Sequence, residues 1–130
     1  MTTRGLADTS IFIADETGRP LNTSAFPDEL AVSVITIGEL RAGVLAATDV
    51  TTRNRRLNTT LTAALTLDPI PVDQAVADSW AQLRVQLRDQ GLRMSVNDSW
   101  IAATAMVLNI PVFTQDEGFP TLNSLDVRQV

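Results

Sequence analysis

The groups able to carry chemistry in this chain are its carboxylates, because histidine, cysteine and lysine are all absent. Without cysteine and histidine there are no thiol nucleophiles, thiolate metal sites or disulfides, and no histidine-based acid–base or triad catalysis. All ten basic residues are arginine, so there is neither a phosphate-loop lysine nor a Schiff-base nucleophile. A receiver-type acidic cluster, which also relies on a lysine, fails on the same ground. What is left is carboxylate, hydroxyl, amide and guanidinium. A carboxylate site without imidazole or thiolate ligands favours a hard divalent cation such as Mg²⁺ or Mn²⁺.

Four acids stand out by position: Asp8, Glu39, Asp98 and Asp116. Asp8, Glu39 and Asp116 follow apolar, strand-like stretches directly or within a few residues, and Asp98 lies in the first turn of a helix opened by Ser95. In an open α/β sheet, ligands gather beyond the carboxyl ends of the strands, so all four are placed to converge on one cleft. Convergence of like charges raises each carboxyl's pKa, and a divalent cation removes that penalty. Taken singly, each acid has a plainer reading. Thr36-x-x-Glu39 and Ser95-x-x-Asp98 both fit a capping box, Asp8 fits a helix N-cap, and Asp116 before Glu117-Gly118 fits a turn. Their joint occurrence, in a chain without other catalytic side chains, favours a site.

The elements that must position these acids alternate along the chain. Gly5-Leu6-Ala7 is short and apolar and ends at Asp8-Thr9-Ser10, residues suited to capping a helix that begins with Ile11-Phe12-Ile13. The stretch from Gly18 to Ser24 reads as a loop. Ala31 to Ile35 is apolar and β-branched and predicts a buried strand. Thr36 then opens a helix through Leu40, Val44 and Leu45. Thr51 to Leu67 repeats apolar residues at helical spacing, with Arg53, Arg55 and Arg56 on its first turns.

Ile70-Pro71-Val72 reads as a brief extended segment near an edge. From Asp73, the residues Val76, Trp80, Leu83 and Leu87 recur at helical spacing until Gly91. Ser95 opens a helix carrying Ile101, Ala102, Ala105 and Met106. Pro111 to Thr114 is a strand ending at Asp116, and Val127 to Val130 is a candidate final edge strand. Short strands alternating with helices imply a parallel α/β sheet with helices on both faces, built as one domain over residues 1–130. Apolar residues make up 45% of the chain, enough for a real core. The start of the chain lacks a leader pattern and no apolar run is long enough for a membrane span, so a soluble cytoplasmic protein is expected.

The net charge of −5 fits an acidic metal pocket combined with local arginine patches. The patch Arg53, Arg55, Arg56 is either a solvated face or a contact for an RNA backbone or a partner. Asp15-Glu16 and Asp28-Glu29 lie in polar stretches and read as solvated surface. Trp80 lies on an apolar helical stripe and reads as core. Trp100, two residues after Asp98, either joins the core or borders the substrate cleft.

At these residues the chain resembles a PIN domain, specifically the toxin of a type II VapBC-like toxin–antitoxin pair. The matching segments are Leu6-Ala7-Asp8-Thr9-Ser10, then Ser33 to Gly43 around Glu39, Asn97-Asp98-Ser99-Trp100-Ile101-Ala102-Ala103-Thr104-Ala105, and Val112-Phe113-Thr114-Gln115-Asp116. They occur in the family's order and span most of the chain. The resemblance implies a three-layer α/β/α sandwich with a small, mostly parallel sheet, and endonucleolytic RNA cleavage leaving 5′-phosphate and 3′-hydroxyl ends.

It also implies Mg²⁺ or Mn²⁺ held directly by Asp8 and Asp98, with Asp116 and Glu39 acting through water or a second ion. Thr9, Ser10, Asn97 and Thr114 are candidates to orient those carboxylates. The implied partners are RNA, a VapB-like antitoxin whose C-terminal tail blocks the cleft, and a second copy of the chain, with no membrane. One departure concerns the fourth motif, where Glu117-Gly118-Phe119 replaces an acidic residue followed directly by phenylalanine. Two other classes stay open from sequence: a non-catalytic PIN-like RNA- or protein-binding module, and a metal-dependent phosphoesterase acting on another substrate.

Overall fold

Strand β1 (Arg4–Ala7) occupies the middle of the sheet, and its three apolar residues are buried in succession, as an inner strand covered on both faces requires. The computed structural model describes every residue, 1–130. Strand β2 (Glu29–Ala31) pairs with one edge of β1, β3 (Val112–Thr114) with the other, and β4 (Val127–Gln129) lies outside β3. The order is β2-β1-β3-β4, and every pairing is parallel. Leu6 is in register with Ala31 and Val112, and Ala7 with Phe113.

The helices are α1 (Thr9–Thr17), α2 (Val34–Ala46), α3 (Val50–Arg55), a π-helical segment (Arg56–Leu61), α4 (Thr62–Leu65), α5 (Gln74–Asp89) and α6 (Val96–Leu108). The apolar stripes of α5 and α6 close over the sheet, joining Leu83, Leu87, Ile101, Ala102 and Ala105 to Leu6, Ala31 and Val112. A second cluster of Leu40, Val44, Leu61 and Ala64, with Phe12 and Ile37 against it, ties together α1, α2, the π segment and α4. The result is the α/β/α sandwich expected from the alternation of elements.

Two boundaries differ from the sequence expectation. The buried strand expected at Ala31–Ile35 ends at Ala31, and the next helix starts at Val34 rather than after Thr36. The reason is Ser33: it is extended and its hydroxyl accepts the Ile35 N–H at 3.0 Å, so it, not Thr36, is the N-cap. The Ile70 N–H donates to the Val32 carbonyl at 2.9 Å, and the Val34 N–H to the Ile70 carbonyl at 3.0 Å. That single bridge is what Ile70-Pro71-Val72 contributes to the sheet edge. β-Branched Val34 and Ile35 thus enter a helix despite their strand preference, because cap and packing outweigh propensity.

The second boundary is at Asp8. It is extended and sits at the cap position of α1, yet its side chain makes no capping bond, and the helix starts at Thr9. Its carboxylate is therefore left for other partners.

Candidate active site

Leaving β1, the chain turns to one side of the sheet to form β2; leaving β3, it turns to the other side to form β4. The two connections diverge between β1 and β3, the switch point where open α/β sheets bind ligands. Asp8 is the first residue past β1, and Asp116 lies two residues past β3.

Asp8 is 3% exposed, and its burial is compensated by hydroxyls. Its Oδ2 accepts from Ser10 Oγ at 2.8 Å and from Thr114 Oγ1 at 2.9 Å. Both hydroxyls are themselves fixed by backbone: Ser10 Oγ accepts the Gln115 N–H and Thr114 Oγ1 the Asp116 N–H, each at 2.9 Å. With the two backbone donors occupying their lone pairs, the hydroxyl protons point at Asp8. A buried carboxylate held this way is fixed in one orientation.

Glu39 lies on α2, one helical turn beyond fully buried Thr36. Thr9 Oγ1 donates to Glu39 Oε1 at 2.8 Å and lies 2.9 Å from Thr36 Oγ1. Thr9 has one proton and gives it to Glu39, so the proton of Thr36 runs to Thr9. The chain Thr36–Thr9–Glu39 links α2 to the residue next to Asp8. Spacing alone predicts Thr36 only as a cap; its part in this relay is invisible until α1 and α2 are packed together.

Asp98 stands in the first turn of α6, where its N–H donates to Ser95 Oγ at 3.1 Å. Its half-buried carboxyl is pushed up to about 6, first by loss of solvation and then by the charge of Asp8, with Asp116 and Glu39 adding in the same direction. The bond with Ser95 acts against the rise without cancelling it. Four acids distant in sequence therefore lie in one shared field. They do not form a closed cage: no three of them stand close enough to ligate a single ion as placed. The donor set, all hard oxygen, is of the kind that suits Mg²⁺ or Mn²⁺.

Asp116 is exposed and its Oδ1 accepts the Gly118 N–H at 3.0 Å. A Cβ at position 118 would come 3.4 Å from that oxygen. This acid thus serves both a turn and the shared field. Asn97 is exposed and gives no hydrogen bond to any of the four acids, whereas Thr9, Ser10 and Thr114 all do or are joined to one that does. Gln115, which the sequence did not single out, ties the site to the chain end: its amide donates to the Pro20 carbonyl at 3.0 Å and to the Val130 carbonyl.

Other expectations change. Within the arginine patch Arg53 and Arg55 are exposed, Arg53 also donating to the Ala47 carbonyl at 3.0 Å, whereas Arg56 is partly buried and donates to the Gly43 carbonyl at 2.7 Å. Glu16, read as surface, has a side chain only 7% exposed, 3.8 Å from Arg56, and it accepts from Thr60 Oγ1 at 3.2 Å. The π segment brings Arg56 and Thr60 to the same carboxylate, which linear spacing does not reveal. Trp80 is half-buried rather than core and stacks on Trp100.

The PIN domain family model matches residues 6–124. Ribonuclease VapC5 of Mycobacterium tuberculosis is 45% identical over 119 residues, covering 92% of this chain and 87% of that protein. Ribonuclease VapC4 of the same organism is 43% identical over 126 residues, covering 95% of each. Among solved structures, VapBC-5 from Mycobacterium tuberculosis, a member of the VapBC family of toxin-antitoxin systems, superposes with a TM-score of 0.89 at 40% identity over 98% of this chain and 99% of that one. FitAcB from Neisseria gonorrhoeae superposes with a TM-score of 0.71 at 28% identity, covering 94% of each chain. With matches of this extent, and four acids felt together at Asp98 beside the switch point, the chain belongs to the PIN domain family, alongside the VapC ribonucleases.

Proposed function

We propose that this protein is the toxin of a toxin–antitoxin pair, a divalent-metal-dependent endoribonuclease that hydrolyses RNA phosphodiester bonds. The observation that carries the reading is the shared field at Asp98, where burial and three other carboxylates make its ionisation unfavourable. The relatives named as ribonucleases and the toxin-antitoxin structures support RNA as substrate and a small antitoxin as partner. The protein acts in the cytoplasm, where its RNA is, and no helix is long and apolar enough to cross a membrane.

Asp8 and Asp98 would hold the ion, with Asp116 and Glu39 acting through water or a second ion. When bound, Mg²⁺ or Mn²⁺ would supply a lowered pKa for a coordinated water and offset negative charge on the phosphodiester. Ser10 and Thr114 keep Asp8 in one rotamer. Thr9, backed by Thr36, aims Glu39, leaving its other oxygen free to orient the attacking water and receive its proton. Asp98, pushed up to about 6 by burial and then by the neighbouring acids, would bind the ion as its carboxylate.

The test is cleavage of total RNA with Mg²⁺, Mn²⁺ or a chelator, with product ends mapped. Metal-dependent 5′-phosphate and 3′-hydroxyl ends that vanish in Asp98→Asn support the reading. Undiminished cleavage by that variant, or by the chelated protein, overturns it.

A further inference from the structure

Arg56 shares a cavity with one of the four acids, and the metal chemistry makes no use of it. The cavity, of about 200 Å³, is formed by α1, α2 and the π segment, and Glu39, Gly43, Glu16, Arg56 and Thr60 all line it. The guanidinium is held at its wall. Arg56 Nη1 donates to the Gly43 carbonyl at 2.7 Å, and Nε lies 3.8 Å from nearly buried Glu16, which in turn accepts from Thr60 Oγ1 at 3.2 Å. Gly43 follows Glu39 by four residues on α2, so it lies on the same face of that helix, about 6 Å further along the axis. The anchored guanidinium and Glu39 therefore border one small hollow.

Most of the donors of Arg56 are unclaimed. A guanidinium carries five N–H groups. One goes to Gly43, the contact with Glu16 is longer than a hydrogen bond, and Nη2 has no acceptor in the chain, while 35% of the side chain is exposed. Stability does not account for the arrangement, because the desolvation of a partly buried ion pair offsets much of its attraction. Arg56 also opens the π segment, which interrupts the helical run from α3 to α4. Such turns are rare and are frequent at functional sites.

We infer that Arg56 binds a phosphodiester of the RNA next to the one being cut, and so sets which bond comes to Glu39. This rests on the ribonuclease reading above. A strand entering the site brings its anions towards four carboxylates, and an anchored fork beside Glu39 compensates one of them. Glu16 cancels much of the charge of Arg56 at a distance, so the contact steers little. What it offers is direction: a planar pair of donors matches two oxygens of one phosphate. The hollow has room for about six waters, space that a phosphodiester can take. Contacts of this kind fix the register of a nucleic acid without reading its bases.

The experiment uses a short single-stranded RNA spanning a mapped cleavage site, prepared as a set in which one linkage at a time is a neutral methylphosphonate. Affinity is measured in Ca²⁺ and cleavage in Mg²⁺. The wild type is expected to lose about tenfold in affinity when one particular linkage beside the cleaved bond is neutral. Arg56→Gln should bind the unmodified RNA about tenfold more weakly, with KM raised more than kcat is lowered. It should be indifferent to that linkage and respond as the wild type does to the others. Arg55→Gln, at an exposed arginine, controls for the loss of one positive charge and should behave as the wild type throughout. If Arg56→Gln does not fold because Glu16 is left without its partner, the double variant Glu16→Gln/Arg56→Gln removes both charges and takes its place.

An Arg56 variant that stays as sensitive to every linkage as the wild type, however weakly it binds, is only a structural variant and overturns the inference. So does unchanged affinity for RNA, or an equal loss in Arg55→Gln. A wild type that cleaves no RNA overturns the ribonuclease reading and this inference with it. One that cleaves, with its Arg56 variants matching it, overturns this inference alone.

Discussion

Thr114, the last residue of β3, donates its hydroxyl to Asp8, the first residue past β1, at 2.9 Å across 106 positions of sequence. The same hydroxyl oxygen accepts the N–H of Asp116. One side chain thus sets two of the four acids, and it can do so only because β1 and β3 are parallel neighbours with Ala7 beside Phe113.

Thr114→Val keeps the shape and removes both bonds. The buried Asp8 carboxylate loses a donor and the Asp116 N–H its acceptor, so a stability loss of about 1–3 kcal/mol is expected, read by urea unfolding. RNA cleavage should fall about tenfold or more as Asp8 loses its fixed rotamer. Thr114→Ser, which retains the hydroxyl, should recover most of both. If Val and Ser variants behave alike, the hydroxyl does not position Asp8.

The raised pKa of Asp98 makes a signed statement about stability. The folded protein holds this proton up to about pH 6, whereas the unfolded chain releases it near the ordinary aspartate value of about 4. Between those values the folded state binds the proton better, so rising pH removes stability through this group, and the loss is complete above about pH 6. Without divalent ions, Asp98→Asn should therefore be more stable than the wild type by about 1–2 kcal/mol at pH 8, an amount reduced because solvent still reaches the half-buried carboxyl. The difference should close toward pH 4. A variant less stable than wild type at pH 8 contradicts the shared field. Asp28 and Asp49 are held below the usual range by hydrogen bonds from Thr3 and Thr52 respectively; they act in the opposite sense, and comparing the variant with the wild type cancels them.

Adding Mg²⁺ should reverse that penalty. At a concentration ten times its Kd, binding to the folded state alone raises stability by about 1.4 kcal/mol, or about 4 °C in Tm for a chain of this size. Because the ion displaces the proton of Asp98, the shift should be larger at pH 8 than at pH 5, and absent in Asp8→Asn. Calorimetry at the two pH values, with chelator as the control, reads it directly. Equal shifts at both pH values remove Asp98 from the ligand set.

Gly5 is needed for the close approach of β1 to Phe113, which lies one strand over. A Cβ there would fall 2.4 Å and 2.5 Å from two ring carbons of Phe113 and 3.1 Å from Pro27 Cγ. Gly5→Ala should cost about 1–3 kcal/mol through overpacking, measured by denaturant midpoint. It should also lower activity, since the Phe113 carbonyl accepts the Asp8 N–H at 2.9 Å and any ring displacement moves that bond. An unchanged midpoint shows that the ring yields freely.

Much of this protein is legible along the chain because it is a matter of local chemistry. The absence of histidine, cysteine and lysine narrows the site to carboxylates, whatever the fold. Ser95 and Asp73 announce the helices they cap, since each hydroxyl or carboxylate satisfies an N–H within three residues. The order of strands and helices implies a parallel sheet, and the acids after Ala7 and Thr114 then fall at its carboxyl edge. Even so, the run from Ala31 to Ile35 misleads, because β-branched residues look alike in a strand and in a first helical turn until Ser33 is seen to cap.

Tertiary structure alone decides what depends on contacts between distant segments. That Thr36 supports Thr9 and so Glu39, that Glu16 turns inward to Arg56, and that Trp80 leaves the core to stack on Trp100 all require two helices to be docked at a particular angle. So does the size of the repulsion felt at Asp98, which falls off with separation and is screened by whatever solvent remains. Residue types and spacing determine which groups are present and which end of each element carries them; the distances that turn four acids into one field exist only after the chain has folded.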